Sequence, residues 1–157
     1  MLNKSAAVIC LCVATGILVT GHSHAQSKPV ILITAAEAQL PAPINPDLTF
    51  RAGISRGPAI ELLLPKPSEK SVQSPVHLQL KFEGRGGAQI DVDSLKFTYI
   101  RNPSVDLTAR IKSFAKPDGI DVPEAEIPPG THLIRADVKD KEGRSGYLIF
   151  KLNVLKQ

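Results

Sequence analysis

The chain has 157 residues, no Trp, and an excess of Lys and Arg over acidic residues that gives a formal net charge of +4. This length predicts one domain, and an aromatic share of only 4% argues against a surface on which bases or sugars stack. Lys and Arg are interspersed with acids along the whole chain, so we expect no binding to nucleic acid.

Residues 1–25 predict a secretory signal peptide. Lys4 supplies the positive start, Ala6 to Val19 form an apolar stretch, and Ser23-His24-Ala25 provides the small residues that precede a cleavage point. The apolar stretch is shorter than the roughly 20 residues of a membrane-spanning helix. We therefore expect a periplasmic or secreted protein with no integral membrane segment after signal cleavage.

Both cysteines, Cys10 and Cys12, lie within the predicted signal peptide. The processed chain then has no thiol, so we expect neither a disulfide nor a thiolate metal site in it. Its stability must come from the packing of apolar side chains.

Residues 26–58 are predicted to form an N-terminal arm and a Pro/Gly-rich tether. Pro29 to Ile33 is a short β-prone run, and Thr34-Ala35-Ala36-Glu37 has the spacing of a helix capping box. The prolines of 41–46 and the glycines of 51–58 disfavour regular strand pairing. We expect a short strand, a turn or two of helix, and then irregular chain.

Residues 59–157 are predicted to form a β-sandwich of seven short strands, because apolar residues alternate with polar ones between turn-forming clusters. The fifth strand, near Gly119 to Ile127, is weak, and Pro123 implies that it is an edge strand or contains a bulge. The side chains expected to point inward from the other six are, in strand order, Ile60, Leu62 and Leu64; Val76, Leu78, Leu80 and Phe82; Leu95, Phe97 and Tyr99; Val105, Leu107, Ala109 and Ile111; His132, Ile134, Ala136 and Val138; and Leu148, Phe150, Leu152 and Val154.

The segment from Gly130 to Gly143, GTHLIRADVKDKEG, resembles the G-x-Y-x-V-x-V-x-V-x-D-x-x-G ending of bacterial immunoglobulin-like and PKD-like domains. The resemblance implies an all-β, seven-stranded antiparallel immunoglobulin-like sandwich. Such domains space, present or dock other proteins at the cell surface, and most are not enzymes. His132 stands where the motif has Tyr, whose hydroxyl binds the corner backbone in these folds, so the resemblance implies a structural role for His132.

Two acidic groups offer oxygen ligands of the kind that Ca²⁺ takes: Asp91 with Asp93, and Asp137 with Asp140 and Glu142. The dense acidic loops of dedicated Ca²⁺ sites are missing, and Asp before Gly is also an ordinary turn residue. We therefore favour structural turns and expect no metal or other cofactor.

His77 is the only base that the pattern leaves free, since it points outward from a predicted strand. The chain has no Gly-x-Ser-x-Gly elbow, and no carboxylate occupies an obvious partner position for His77, so we expect no enzyme activity. A hydrolase that uses His77 is a minor alternative. Copper is disfavoured because the processed chain has no Met and only His77 and His132, on opposite faces.

An interaction patch is the predicted site. If the third, sixth and seventh strands pair, their outward side chains form an apolar centre ringed by cations, which is typical of an interface. Alternatively, residues 30–33 cover that face or pair with its edge strand. The predicted patch consists of Ile100, Leu133, Tyr147, Ile149, Lys96, Arg110, Arg135 and Lys151.

These patterns together predict a non-catalytic exported module of the cell envelope, either structural or bound to an envelope protein of unknown identity. A carbohydrate- or peptidoglycan-binding accessory domain is the alternative. The sequence carries no indication of the oligomeric state.

Overall fold

The computed structural model describes residues 28–43, the backbone of 51–52, and residues 56–156. The predicted signal peptide lies outside these residues, as does most of the predicted tether. Within the described parts, no helix is long and apolar enough to cross a membrane.

The described chain is built mainly of strands. They are β1 (Val30–Ile31), β2 (Arg51–Ala52), β3 (Ala59–Leu64), β4 (Val76–Glu83), β5 (Ile90–Tyr99), β6 (Val105–Asp106), β7 (Ala115–Lys116), β8 (Gly119–Glu126), β9 (Gly130–Asp140) and β10 (Ser145–Val154). The helices are α1 (Ala35–Ala38) and α2 (Thr108–Ile111), with 3-10 turns at Arg85–Gly87 and Lys112–Phe114.

These strands form two five-stranded sheets. The first sheet has the order β1-β8-β4-β3, with β7 also paired to β8, and the second has the order β2-β10-β9-β5-β6. The strands within each sheet are antiparallel apart from β1, which runs parallel to β8. The all-β class is confirmed, and the described strands outnumber the seven predicted.

One hydrophobic core lies between the sheets. Side chains alternate inward along β4, β9 and β10 as predicted, and Phe97, Tyr99 and Phe150 are its largest fully buried members. The predicted bulge at Pro123 is confirmed, because the register of β4 with β8 shifts where Val122 and Ala125 oppose Leu78 and Val76.

The predicted fourth strand, 105–111, is wrong beyond Asp106. The Asp106 carboxylate accepts the Thr108 N–H at 2.8 Å, a local bond that turns the chain into α2. Leu107 and Ile111, which alternation placed inward on a strand, are both buried, Leu107 as the residue before α2 and Ile111 as its last residue. Ala109, also expected inward, is exposed.

The N-terminal arm enters the core from the side of the first sheet. The amides of Leu32 and Ile33 both donate to the Glu126 carbonyl oxygen, at 2.9 and 3.3 Å, and both side chains are buried. Both intramolecular alternatives placed residues 30–33 on the second sheet, whereas β1 is an edge strand of the first. The reason is that β8 offers a free edge at Ala125 and Glu126.

The predicted capping box is confirmed at the start of α1. The Thr34 hydroxyl accepts the Glu37 N–H at 3.2 Å, and the Glu37 carboxylate accepts the Thr34 N–H at 2.9 Å. Beyond α1, the Pro41 carbonyl oxygen accepts the Asn102 N–H at 3.2 Å. The arm therefore spans from the edge of the first sheet to the β5–β6 loop of the second.

The predicted absence of regular pairing within 51–58 is wrong for Arg51 and Ala52, which pair with Ile149 and Leu148 along the open edge of β10. The chain then crosses β10 at very short range. A Cβ atom on Gly146 would overlap the Pro58 carbonyl oxygen, and one on Gly57 would overlap the Ser145 backbone. Glycine at both positions lets the two backbones touch.

Candidate interaction surface

The outer face of the second sheet carries six of the eight residues predicted for the patch. Strand alternation turns Lys96 outward from β5, Leu133 and Arg135 from β9, and Tyr147, Ile149 and Lys151 from β10. The register sets them in rows that pair Ile149 with Arg135 and Lys151 with Leu133. Ile100 lies at the end of β5, where its N–H donates to the Leu133 carbonyl oxygen at 2.8 Å.

Arg135 contacts both Asp137 and Tyr147 on this face. Its Nη2 atom lies 2.6 Å from Asp137 Oδ1 and its Nε atom 2.8 Å from Oδ2, which is a two-pronged ion pair. The guanidinium carbon lies 4.6 Å from the centre of the Tyr147 ring, in cation–π range. The hydrogen bond to Asp137 raises the pKa of Arg135, so the cation is permanent.

The apolar centre of the predicted patch is covered. Leu133 and Ile149 are only 7% and 5% exposed although both point outward. Each lies opposite a long cationic residue on the neighbouring strand, Lys151 and Arg135 respectively. Solvent therefore meets Tyr147 and cations rather than a bare apolar surface.

Arg110 is the clear exception among the predicted patch residues. It lies in α2 instead of on a strand, and its guanidinium forms a two-pronged pair with Glu37 at 2.7 and 2.8 Å. Its Nη1 atom also donates to the Leu32 carbonyl oxygen at 2.8 Å. Arg110 therefore holds the N-terminal arm, because the turn at Asp106 redirected the segment that carries it.

Asp137 and Lys139 belong to this face, although the patch prediction omitted them. The alternation that placed Leu133 and Arg135 outward extends to both, so the sequence contained the signal. Among the described residues, no carboxylate lies within 4 Å of the ammonium groups of Lys96, Lys139 and Lys151.

His77 has the carboxylate partner that the sequence did not indicate. It points outward from β4 on the first sheet, as expected, and its Nε2 atom lies 2.7 Å from Asp121 Oδ1 on the neighbouring strand β8. Both side chains are about half exposed. The partner is missed from sequence because it depends on the register of two strands far apart in the chain.

His132 is buried, and both of its ring nitrogens are hydrogen-bonded. Nε2 lies 2.8 Å from the Pro128 carbonyl oxygen and Nδ1 lies 2.9 Å from the Tyr99 hydroxyl, which also accepts from Arg101 Nε at 2.6 Å. Burial lowers the pKa of His132, so the ring is neutral. The predicted structural role of His132 is confirmed, since from the start of β9 it binds the corner backbone at Pro128.

The acidic residues considered for Ca²⁺ make local bonds instead. Asp140 is buried, and its carboxylate accepts the N–H groups of Glu142 and Arg144 and the Arg144 Nε–H. Burial alone would raise its pKa, but the hydrogen bonds from Arg144, the charge of Arg144 and the hydrogen bond from Glu142 together outweigh burial and lower the pKa. Within the described ranges, no three His, Cys, Asp or Glu residues are grouped closely enough to hold a metal ion.

Comparison of the chain with protein-family models, curated proteins and solved structures finds no match. The geometry of the outer face is therefore the basis for a functional proposal. That geometry unites a two-pronged Arg135–Asp137 ion pair, a partly buried Tyr147, and lysines that have no ionic partner among the described residues.

Proposed function

We propose that this chain is a non-catalytic exported module of the cell envelope that binds another protein through the outer face of its second sheet. The observation that carries the proposal is Arg135, fixed by Asp137 and stacked on Tyr147. Tyr and Arg contribute most often to the binding energy of protein interfaces. A side chain already held in place loses little conformational entropy on binding, so this pair is prepared for a partner.

The strand order supports an immunoglobulin-like sandwich as the scaffold of this module. The order β3-β4-β8 corresponds to strands A, B and E of such a fold, and β10-β9-β5 corresponds to G, F and C. His132 near the start of β9 binds the backbone four residues upstream, where these folds use a tyrosine. In this assignment the proposed binding surface is the outer face of the G-F-C sheet.

The absence of catalysis remains part of the proposal, and the buried, fully bonded imidazole of His132 supports it. Both nitrogens of His132 are bonded within the core, and Nε2 of His77 is bonded to Asp121. A nucleophile needs a general base within hydrogen-bond reach. His77, oriented by Asp121, is such a base, but no hydroxyl of a described residue is hydrogen-bonded to its ring.

The glycan-binding alternative has less support from the same surface. Sugars stack on an open aromatic face, but Arg135 covers one face of the Tyr147 ring. The other aromatic residues of β4, β5 and β10, namely Phe82, Phe97, Tyr99 and Phe150, are buried.

The proposal is tested by capturing envelope proteins from an extract on the immobilised, processed protein. We expect the double variant Tyr147→Ser/Arg135→Gln to capture at least about tenfold less partner than the parent protein. The reason is that interface Tyr and Arg residues contribute about 2 kcal/mol or more each to binding. The matched control Gln79→Ser/Lys81→Gln removes the same charge from the outer face of the first sheet. Equal capture by both doubles, with unchanged thermal unfolding, contradicts the proposal.

A further inference from the structure

A groove at one end of the proposed binding surface is lined by three lysines, Lys66, Lys70 and Lys151. Lys151 belongs both to the outer face of β10 and to this groove, so the two are continuous. The groove has a volume of about 290 Å³, and we refer to it as the lysine groove. Its floor is apolar and is formed by Leu62, Pro65, Val72 and Leu152.

The wall of the lysine groove is fixed to β10. The Val72 N–H donates to the Asn153 carbonyl oxygen, and the Leu155 N–H donates back to Val72, both at 2.9 Å. The Asn153 side-chain amide donates to the Lys70 carbonyl oxygen at 2.9 Å. The loop that carries two of the lysines is therefore preorganised by backbone bonds rather than shaped by a ligand.

The charges of the lysine groove are unbalanced. Glu69 is the one carboxylate among its lining residues, and its N–H donates to Lys66 O at 2.8 Å as part of a turn. Among the described residues, no carboxylate, that of Glu69 included, lies within 4 Å of the three ammonium groups. Three cations around one concave site favour an anionic occupant.

We infer that the lysine groove binds an acidic peptide segment of the protein partner, with its carboxylates at the lysines and an apolar side chain on the groove floor. This inference rests on the proposed function, because it gives the chemistry of the partner for the same surface. The concave shape favours an extended chain over a flat membrane surface. The apolar floor favours a peptide over a free inorganic anion, which would gain nothing from Leu62 or Val72.

The test measures binding of a fluorescent peptide of alternating Glu and Leu to the processed protein by anisotropy. We expect binding that weakens with added salt and that falls at least about tenfold in Lys66→Gln/Lys70→Gln/Lys151→Gln, since each exposed ion pair contributes up to about a fivefold change. The matched control Lys81→Gln/Lys112→Gln/Lys116→Gln removes the same charge outside the groove. We expect it to retain binding within about threefold.

Three outcomes overturn the inference: no binding of the Glu/Leu peptide, an equal loss in the two triple variants, or full competition by millimolar inorganic phosphate. A fourth is tighter binding of the parent protein to anionic phosphatidylglycerol vesicles than to the peptide, with loss of the vesicle binding in the triple variant. If the peptide fails while capture that depends on Tyr147 persists, the acidic-peptide inference is wrong and the proposed function stands. If capture that depends on Tyr147 fails while the peptide binds to the lysine groove, the proposed function is wrong and the groove remains a site for acidic peptides.

Discussion

His132 is the centre of a buried chain of hydrogen bonds whose direction is set by its two ends. A carbonyl oxygen only accepts, so the Nε2 atom that faces Pro128 carries the proton, and in the neutral ring Nδ1 must accept from Tyr99. A guanidinium only donates, so Arg101 supplies the second bond to the Tyr99 oxygen. Only one assignment of donors and acceptors therefore satisfies every group in this series of hydrogen bonds.

Replacing His132 with Phe removes one buried and one partly buried hydrogen bond while roughly keeping the ring volume. We expect the free energy of unfolding to fall by about 2–4 kcal/mol, because the Tyr99 hydroxyl loses its acceptor and the Pro128 carbonyl loses its donor. Urea denaturation of the variant and the parent measures the difference.

The double variant His132→Phe/Tyr99→Phe is the control for that prediction. It also removes the Tyr99 hydroxyl, which would otherwise be left without an acceptor. We therefore expect its loss of unfolding free energy to be smaller than the sum of the losses in the two single variants. Strict additivity would show that the His132–Tyr99 bond does not contribute in the way that its geometry indicates.

Gly146 is required by the close crossing of two backbones. Gly→Ala elsewhere often stabilises a protein by reducing the entropy of the unfolded chain. At Gly146 the added Cβ overlaps the Pro58 carbonyl oxygen, so we expect Gly146→Ala to destabilise the fold by about 1–3 kcal/mol. The exposed neighbour Ser145→Ala should stay within about 0.5 kcal/mol of the parent in the same thermal unfolding experiment.

The arm is an element that the sequence predicted only locally. The capping box of α1 could be predicted from the sequence because its two residues are three positions apart. The pairing of β1 with β8 and the ion pair of Arg110 with Glu37 join distant segments of the chain. A one-dimensional pattern carries no information on which free edge a strand meets. The location of the arm therefore required the structure.

Glu37 links the arm to α2. We expect Glu37→Gln, which can still cap α1, to cost about 1–3 kcal/mol, because the half-buried Arg110 loses its counter-ion. Hydrogen exchange should quicken at the amides of Leu32 and Ile33, which bond to β8.

Glu83→Gln is the matched control, since Glu83 pairs with Lys81 in an exposed ion pair at 3.6 Å. We expect a change below about 0.5 kcal/mol and unaltered exchange in the arm. Similar effects of the two substitutions would contradict a specific role for Glu37.

The strands that were predicted correctly are those in which apolar and polar residues alternate over a long stretch of sequence. β4, β9 and β10 alternate over long spans, so their inward residues were identified correctly. The segment 105–111 alternates too, but one Asp106 bond outweighs the pattern. The same misassignment moved Arg110 into the predicted patch, whereas the residues on β9 and β10 were placed on the correct face.

At the scale of the whole molecule, protonation links several of these features to stability. Burial lowers the pKa of His132 below its ordinary 6.5, so the unfolded chain binds more protons there as the pH falls below that value. The hydrogen bond from Arg110 lowers the pKa of Glu37 from 4.5 to about 2, so the stability contributed by ionised Glu37 is present above pH 4.5 and is lost between those two values.

We therefore expect the free energy of unfolding to fall in two stages as the pH decreases, first below about 6.5 and again below about 4.5. Urea denaturation at intervals between pH 8 and pH 3 measures both stages. His132→Phe should remove the first stage and Glu37→Gln should reduce the second. Persistence of the first stage in His132→Phe would assign it to another group.

The position of β1 has a consequence for the order in which the molecule folds. Synthesis proceeds from the N-terminus, so Leu32 and Ile33 are made long before β8, the strand against which they are buried. These two apolar side chains have no core to enter until most of the chain has been synthesised. The first described residues of this protein are thus among the last that can reach their native places.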